Sequence, residues 1–132
     1  MVSSARPYFD NRPLILVVED EVLLSDIIAD ELEDAGYRVI TSLTGEEGLA
    51  VLQGSEPIEL LFTDIRLPGF VDGWRLAEAA RSLRPGLPIV YATGYSVELP
   101  REVTGSRLLV KPYRPSAVVR AFEQLGVVGQ PA

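Results

Sequence analysis

Five polar residues at separate points of the sequence carry side chains that could do chemistry together. Glu19 and Asp20 follow one short apolar run, and Asp64, Thr93 and Lys111 each follow another. Three carboxylates placed close together repel one another unless a cation or a proton intervenes. A hard divalent cation and the lysine ammonium would relieve that repulsion, and the same two charges would neutralise a phosphoryl group.

The expected chemistry is phosphoryl transfer to a carboxylate. Asp64 is the central carboxylate of the set, so we predict that it is the nucleophile. Lys111 is the only lysine in the chain, and its ammonium would pair with a phosphoryl oxygen as a point charge. The Thr93 hydroxyl would donate a hydrogen bond to another phosphoryl oxygen. Pro112 follows Lys111, and a cis peptide bond there would direct the lysine toward the site.

A divalent cation is the expected cofactor of this set. Mg²⁺ takes oxygen ligands in an octahedron and keeps several waters, and Mn²⁺ accepts the same ligands. Asp20, Asp64 and the backbone carbonyl of Arg66 would bind the ion, with Glu19 acting mainly through water. An acidic pair such as Glu19 and Asp20 also suits the N-terminus of a helix without any metal. The joint pattern favours the metal site.

The elements that position these residues follow from the hydrophobic periodicity. Residues 14–18 form a β-branched apolar run typical of a buried strand. Residues 22–35 then place apolar side chains at helical spacing and end at Gly36. The alternation repeats, which predicts strands at 14–18, 37–41, 58–63, 89–92 and 107–110. The predicted helices are 22–35, 44–53 with a capping box at its start, 73–83 with Asp72 as N-cap, and 116–125.

Strands that alternate with helices at this spacing predict an α/β, flavodoxin-like (βα)5 three-layer sandwich. Its parallel five-stranded sheet would have the order 2-1-3-4-5. Ligands of such sheets bind beyond the carboxyl ends of the strands. Strands one, three, four and five are neighbours in this order, so the five polar residues should converge at one edge. Glycine and proline within 94–106 predict that any helix there is short or mobile.

Composition limits the remaining possibilities. The chain has 132 residues, 47% hydrophobic and 23% charged, which predicts one globular domain at 13–125 with loose tails at 1–12 and 126–132. Cysteine and histidine are absent, which excludes thiolate metal sites and phosphohistidine within this chain. The net charge of -7 argues against nucleic acid as a partner. The sequence has no apolar run that could span a bilayer, which indicates a cytoplasmic protein.

Four motifs, in order and at predicted strand ends, resemble the CheY-like receiver domain of two-component response regulators over residues 13–125. They are Val17-Val18-Glu19-Asp20-Glu21, Asp64 with Pro68 and Asp72-Gly73, Ala92-Thr93-Gly94, and Lys111-Pro112. The resemblance implies that Asp64 is phosphorylated by a phosphohistidine of a sensor histidine kinase or a histidine phosphotransfer protein. It also implies a switch that binds a partner or passes the group on in a phosphorelay. Such a module promotes its own phosphorylation and dephosphorylation but is not a conventional enzyme.

The stretch 91–95, Tyr-Ala-Thr-Gly-Tyr, is also similar to the Phe-Ala-Thr-Gly signature of the mostly single-domain FAT GUY receivers. Leu108 occupies the fifth-strand position where most receivers have the aromatic residue that couples to the switch threonine. The loop 68–72 has one residue more than the usual spacing. We therefore predict that switching uses the segment 94–106, with Tyr95 or Tyr113.

Three alternatives stay open. The chain could be a receiver domain excised from a hybrid histidine kinase or a larger regulator. It could be an aspartyl phosphatase of the haloacid dehalogenase type, although those enzymes need a second acid where this chain has Arg66. It could also be a degenerate receiver that serves as an interaction module, which the complete set of phosphorylation residues disfavours.

Overall fold

The short apolar runs of the sequence form strands, and the amphipathic segments between them form helices. The structure is a computed structural model that describes residues 10–94 and 101–131. The strands in these ranges are β1 (Leu14–Val18), β2 (Arg38–Ser42), β3 (Leu60–Asp64), β4 (Ile89–Thr93) and β5 (Arg107–Val110). The helices in these ranges are α1 (Val22–Asp34), α2 (Gly45–Gln53), α3 (Gly73–Leu83) and α4 (Pro115–Gln124). Within the same ranges, no helix is long and apolar enough to cross a membrane.

The strands are all parallel and lie in the order β2-β1-β3-β4-β5. The predicted flavodoxin-like fold and strand order are therefore confirmed. Strands β1, β3 and β4 are buried throughout, because helices cover both faces of the sheet. Alternate side chains enter opposite layers. Leu16 and Leu61 pack in the core beneath α2 and α3, whereas Ile15 and Leu60 pack in the core beneath α1 and α4.

Several predicted element bounds were wrong by one or two residues. The second strand begins at Arg38, not Tyr37, because the Tyr37 N–H still bonds to a carbonyl at the end of α1. The third begins at Leu60, not Ile58, because the Ile58 N–H closes a turn instead of joining the sheet. The last helix begins one residue early at Pro115, where the missing N–H would have had no partner in the helix.

Helices α2 and α3 begin at side-chain caps that the sequence predicted. The Glu47 N–H donates to Thr44 Oγ1 at 3.1 Å, as the predicted capping box requires, but Glu47 Oε1 accepts from the Leu43 N–H at 3.0 Å, one residue before the N-cap, and not from Thr44. The Arg75 N–H donates to Asp72 Oδ1 at 2.9 Å. Both helix starts flank the loop that follows β3.

The C-terminal segment differs from the predicted loose tail, because residues 126–131 are attached to the α1–β2 corner. Val127 is buried, and its carbonyl accepts a hydrogen bond from the Tyr37 hydroxyl at 2.8 Å. The Gln130 N–H donates to the Gly36 carbonyl at 2.9 Å. A buried tyrosine hydroxyl requires a partner, and this segment supplies it. The packed unit thus extends past residue 125, while residues 1–9 of the predicted N-terminal tail lie outside the described residues.

The segment between β4 and β5 is described only in part. A short or mobile helix was predicted somewhere within residues 94–106, and residues 95–100 of that segment lie outside the described residues. Residues 101–106 are not helical, and their backbone is attached by the Val103 N–H, which donates to the Tyr91 hydroxyl at 3.1 Å. Tyr91 therefore connects this segment to the core of β4.

The end of α2 is stabilised by one arginine, which gives a prediction about stability. The Arg84 guanidinium donates to the carbonyls of Leu52, Gly54 and Glu56. Arg84→Ala would leave these carbonyls without that donor, so we expect the free energy of unfolding to fall by about 2 kcal/mol in a urea titration. Exposed Arg120, substituted by alanine, is the control and should change stability little. Equal effects of the two substitutions would contradict the prediction.

Candidate functional site

Four neighbouring strands end at the same edge of the sheet and carry the predicted polar residues. Asp64 and Thr93 are the last residues of β3 and β4, Glu19 comes directly after β1, and Lys111 comes directly after β5. The strand register aligns these ends, because Asp64 pairs with Ala92 and Thr93 pairs with Val110. Parallel pairing of consecutive strands thus brings together side chains that are far apart in the sequence.

Three carboxylates form the centre of the site. Oxygen atoms of Glu19, Asp20 and Asp64 all lie within 4.8 Å of one another. The Glu19 and Asp64 residues are only 3% and 8% exposed, whereas Asp20 is exposed. Carboxylate oxygens are hard ligands, and solvent reaches the cluster from the side of Asp20. The donor set therefore fits a hard divalent cation that keeps part of its water shell.

Lys111 connects the two buried carboxylates. Its Nζ lies 3.1 Å from Glu19 Oε1 and 3.1 Å from Asp64 Oδ2, so one ammonium donates to both acids. The Lys111–Pro112 peptide is cis, the isomer that the sequence analysis considered as a way to direct the lysine toward the site. With three carboxylates and one ammonium, the four side chains carry an excess of negative charge when all are ionised. A cation that joined them would therefore be bound favourably.

Burial and hydrogen bonding act against each other in this cluster. Burial raises the pKa of Glu19 and of Asp64, and it outweighs the opposing hydrogen bonds from the Glu21 N–H and the Lys111 ammonium. Burial alone would lower the pKa of Lys111, but the hydrogen bonds to Asp64 and Glu19 prevail and raise it. The lysine therefore stays charged at neutral pH, and the carboxylates carry a desolvation cost.

Backbone contacts hold the reacting groups in place. The Lys111 N–H donates to the Thr93 carbonyl at 2.7 Å, which ties the end of β5 to the end of β4. The Glu21 N–H donates to Glu19 Oε2 at 3.0 Å, which orients that carboxylate. A side-chain carbon at Gly73 would overlap the backbone carbonyl oxygen of Asp64. Glycine at this position thus lets the start of α3 approach the Asp64 backbone directly.

The other two predicted site residues lie beside the cluster. Thr93 is buried at the end of β4, one residue beyond Ala92, which pairs with Asp64 on the neighbouring strand. Arg66 is exposed, two residues beyond Asp64 in the loop after β3. The phosphoryl contact of Thr93 and the metal contact of the Arg66 carbonyl stay predictions.

Tyr113 is more closely connected to the site than its sequence position indicated. It lines a small gap together with Glu19 and Asp64, and it also lines an apolar groove of about 110 Å³ between α1 and α4. Its ring meets Phe62 edge-on, with centroids 5.9 Å apart. Its buried hydroxyl has no hydrogen-bond partner among the described residues, and burial raises its pKa. Sequence patterns do not reveal an unpartnered hydroxyl, because its environment is built by distant strands.

Comparison with known proteins agrees with this geometry. The family described as response regulator receiver domain matches residues 15–123. The response regulator receiver protein CpdR of Brucella abortus is 32% identical over 118 residues, covering 84% of this chain and 94% of that protein. The chain spans about half the length of several transcriptional regulators that it also matches, 45% to 48% of their residues.

Solved structures show the same similarity. A response regulator receiver protein from Sinorhizobium medicae has a TM-score of 0.83 and 32% identity, covering 87% of this chain and 94% of that chain. TrrA of Thermotoga maritima, solved with Mg²⁺ and BeF, has a TM-score of 0.76 and 27% identity, covering 86% of this chain and 98% of that chain. The chain therefore belongs to the response regulator receiver domain family, whose members are phosphorylation-dependent signalling modules of two-component systems.

Proposed function

We propose that Asp64 accepts a phosphoryl group from a phosphohistidine of a sensor histidine kinase or a histidine phosphotransfer protein. The observation that supports this most strongly is the Lys111 ammonium, 3.1 Å from both Asp64 and Glu19 at the strand ends. Receiver domains interact with histidine kinases and with downstream effectors. In this chain, phosphorylation would switch the conformation for a protein partner or pass the group on in a phosphorelay.

Mg²⁺, or Mn²⁺ in its place, is the proposed cofactor, because the cluster offers three hard oxygen donors in one place. Asp20, Asp64 and the Arg66 carbonyl would hold the ion, and Glu19 would act mainly through water. When bound, the ion supplies charge neutralisation for the phosphoryl oxygens. The carboxylates and the lysine of the chain itself set where those oxygens lie.

In the proposed reaction, a carboxylate oxygen of Asp64 attacks phosphorus in line with the bond to the donor nitrogen. The new oxygen–phosphorus bond makes an acyl phosphate as the phosphorus–nitrogen bond of the donor breaks. Lys111 pairs with one phosphoryl oxygen, and the Thr93 hydroxyl donates to another. The same site would hold a water during hydrolysis, so the module promotes its own dephosphorylation without being a conventional enzyme.

The switching route that we propose passes through the segment 94–106 and uses Tyr95 or Tyr113. Leu108 replaces the usual aromatic residue of the fifth strand, and the sequence around Thr93 is similar to that of the FAT GUY receivers, to which we assign this chain. Tyr113 supports the route, because it reaches from the carboxylate cluster to the α1–α4 groove. The other predicted switch residue, Tyr95, lies outside the described residues.

A second candidate function is supported by the lengths of the relatives. Since the chain spans about half of several transcriptional regulators, it could act as the receiver part of a larger regulator or of a hybrid histidine kinase. Phosphorylation at Asp64 would be the same in both cases. For either one we propose a cytoplasmic location. We also propose that the direct partners are proteins, because a net charge of -7 disfavours binding to nucleic acid.

Intact-mass measurement after incubation with Mg²⁺ and acetyl phosphate tests the proposal. We expect one phosphoryl adduct, located at Asp64 by peptide mass mapping and absent when a chelator removes the metal. The same assay with phosphorylated histidine kinases would then identify protein donors. If neither donor type gives an adduct, the chain is instead a degenerate receiver that serves as an interaction module.

A further inference from the structure

The loop between β3 and α3, residues 65–72, is docked onto the first turn of α2. At Gly45, the first residue of α2, the space that a side chain would fill is occupied by the Val71 carbonyl. Any other residue at position 45 would displace the loop. This contact holds the end of the loop nearest to α3.

The middle of the loop is held by Glu46, the next residue of α2. The Phe70 N–H donates to Glu46 Oε2 at 2.9 Å. Gly69 has a φ of +86°, and a side-chain carbon there would come within 2.7 Å of the same carboxylate oxygen. The carboxylate thus lies against the Gly69–Phe70 peptide. Hydrogen bonds from the backbone, led by that of Phe70, lower the pKa of Glu46, so it is ionised at neutral pH.

Arg75 binds the backbone carbonyl of Phe70, the residue whose N–H binds Glu46. Its Nη1 donates to the Phe70 carbonyl at 3.2 Å. An acid and a base therefore bind the N–H and the C=O of one backbone unit from opposite elements, α2 and α3. The Phe70 side chain is 89% exposed, so its own packing contributes little to holding this position.

The position of this loop matters because it starts at the nucleophile. Asp64 ends β3, and Arg66, whose carbonyl we assign to the metal, is the second loop residue. On the α3 side, the loop closes through the Gly73 N–H, which donates to the Ile65 carbonyl at 2.8 Å. Between Ile65 and Gly73, the loop has one residue more than the usual receiver spacing. Contacts of its middle residues with other elements must therefore fix its path.

We propose that Glu46 is a positioning residue for the cation and phosphoryl site, acting through the β3–α3 loop. By binding the Phe70 N–H, it would keep the loop in the path that aims the Arg66 carbonyl at the carboxylate cluster. This rests on the proposed function, because it assumes that Mg²⁺ binds at Asp20 and Asp64. A purely structural role would be stabilisation of the α2 N-terminus by a negative charge.

Glu47 allows the positioning role to be distinguished from the purely structural one. It is an acid in the same turn of α2, but its carboxylate accepts a hydrogen bond from Leu43 and not from the loop. The variants are Glu46→Ala, Glu46→Gln, which keeps an acceptor oxygen, and Glu47→Ala. Mg²⁺ affinity can be measured by calorimetry, supported by the fluorescence of Trp74, the only tryptophan, which lies at the start of α3. Urea unfolding reports the stability of each variant.

Glu46→Ala should weaken Mg²⁺ binding about tenfold, as substitutions behind metal ligands do. Glu46→Gln should recover most of the affinity, and Glu47→Ala should leave it near that of the wild type. Without metal, amide exchange at Phe70 should be faster in Glu46→Ala and unchanged in Glu47→Ala. Equal Mg²⁺ affinity and equal exchange in the two alanine variants would overturn the proposal alone. A wild-type protein that binds no Mg²⁺ would instead overturn the proposed function together with this inference.

Discussion

The Lys111→Ala variant is expected to accept a phosphoryl group from acetyl phosphate about 100-fold more slowly than the wild type. The Lys111 ammonium contacts both buried carboxylates at 3.1 Å, so it stands where negative charge gathers during the transfer. Loss of one donor that stabilises developing charge typically slows catalysis by about this factor. The substitution also removes the ammonium that Glu19 and Asp64 share, so both carboxylates repel the incoming phosphoryl group more strongly.

Lys111→Arg tests whether charge alone is sufficient. A planar guanidinium is larger than an ammonium and donates in fixed directions, so we expect it to restore only a small part of the rate. Arg107→Ala, a loss of positive charge at the exposed start of β5, is the matched control. The rates come from intact mass at fixed Mg²⁺ and acetyl phosphate concentrations. A Lys111→Ala rate equal to that of Arg107→Ala would mean that Lys111 has no role in the transfer.

Much of the site could be predicted because its residues occupy equivalent positions in a repeated pattern. Each apolar run is a strand, and the first polar residue after it lies at the carboxyl edge of a parallel sheet. Glu19, Asp64 and Lys111 meet there through strand pairing, which the alternation of strands and helices already implies. The same local logic predicted the Thr44 and Asp72 caps, since a cap bonds to residues two or three positions away.

Contacts between distant segments could not be predicted in this way. Glu46 holds a backbone N–H that lies 24 residues away, and no periodicity marks an acid for such a contact. Tyr37 lies 90 residues from the Val127 carbonyl that it binds, which is why the C-terminal segment was predicted to be loose. Tyr113 likewise lines both the gap beside Glu19 and Asp64 and the α1–α4 groove, which are formed by residues of β1, β3 and the helices that pack over them. These contacts depend on how whole elements pack.

An Asp64→Asn variant is expected to lose phosphorylation completely and yet to be more stable than the wild type at neutral pH. Asparagine has no carboxylate to attack phosphorus, so no adduct should form from any donor. It keeps an oxygen that can accept from Lys111, and it removes one of the negative charges crowded around Glu19 and Asp20. We expect the free energy of unfolding without Mg²⁺ to rise by about 1 kcal/mol.

The pH dependence of this gain follows from the raised pKa of Asp64. Burial makes the folded state bind a proton at Asp64 more tightly than the unfolded chain does, so protonation there favours folding. That contribution is complete at pH values below the ordinary aspartate pKa and is lost as pH rises through the raised one. The advantage of Asp64→Asn should therefore be largest at neutral pH and should shrink on acidification. Mg²⁺ should also shrink it, because the ion stabilises only the protein that binds it.

Urea titrations across pH, with and without Mg²⁺, measure this advantage directly. Asp30→Asn, which removes an exposed acid from α1, is the control and should show no comparable gain. A less stable Asp64→Asn protein at neutral pH would mean that the bond to Lys111 outweighs the cost of crowded charge. An advantage that did not change with pH would show that it does not arise from the ionisation of Asp64. The expected result would mean that the site is held in a charged state that is costly until a cation or a phosphoryl group arrives.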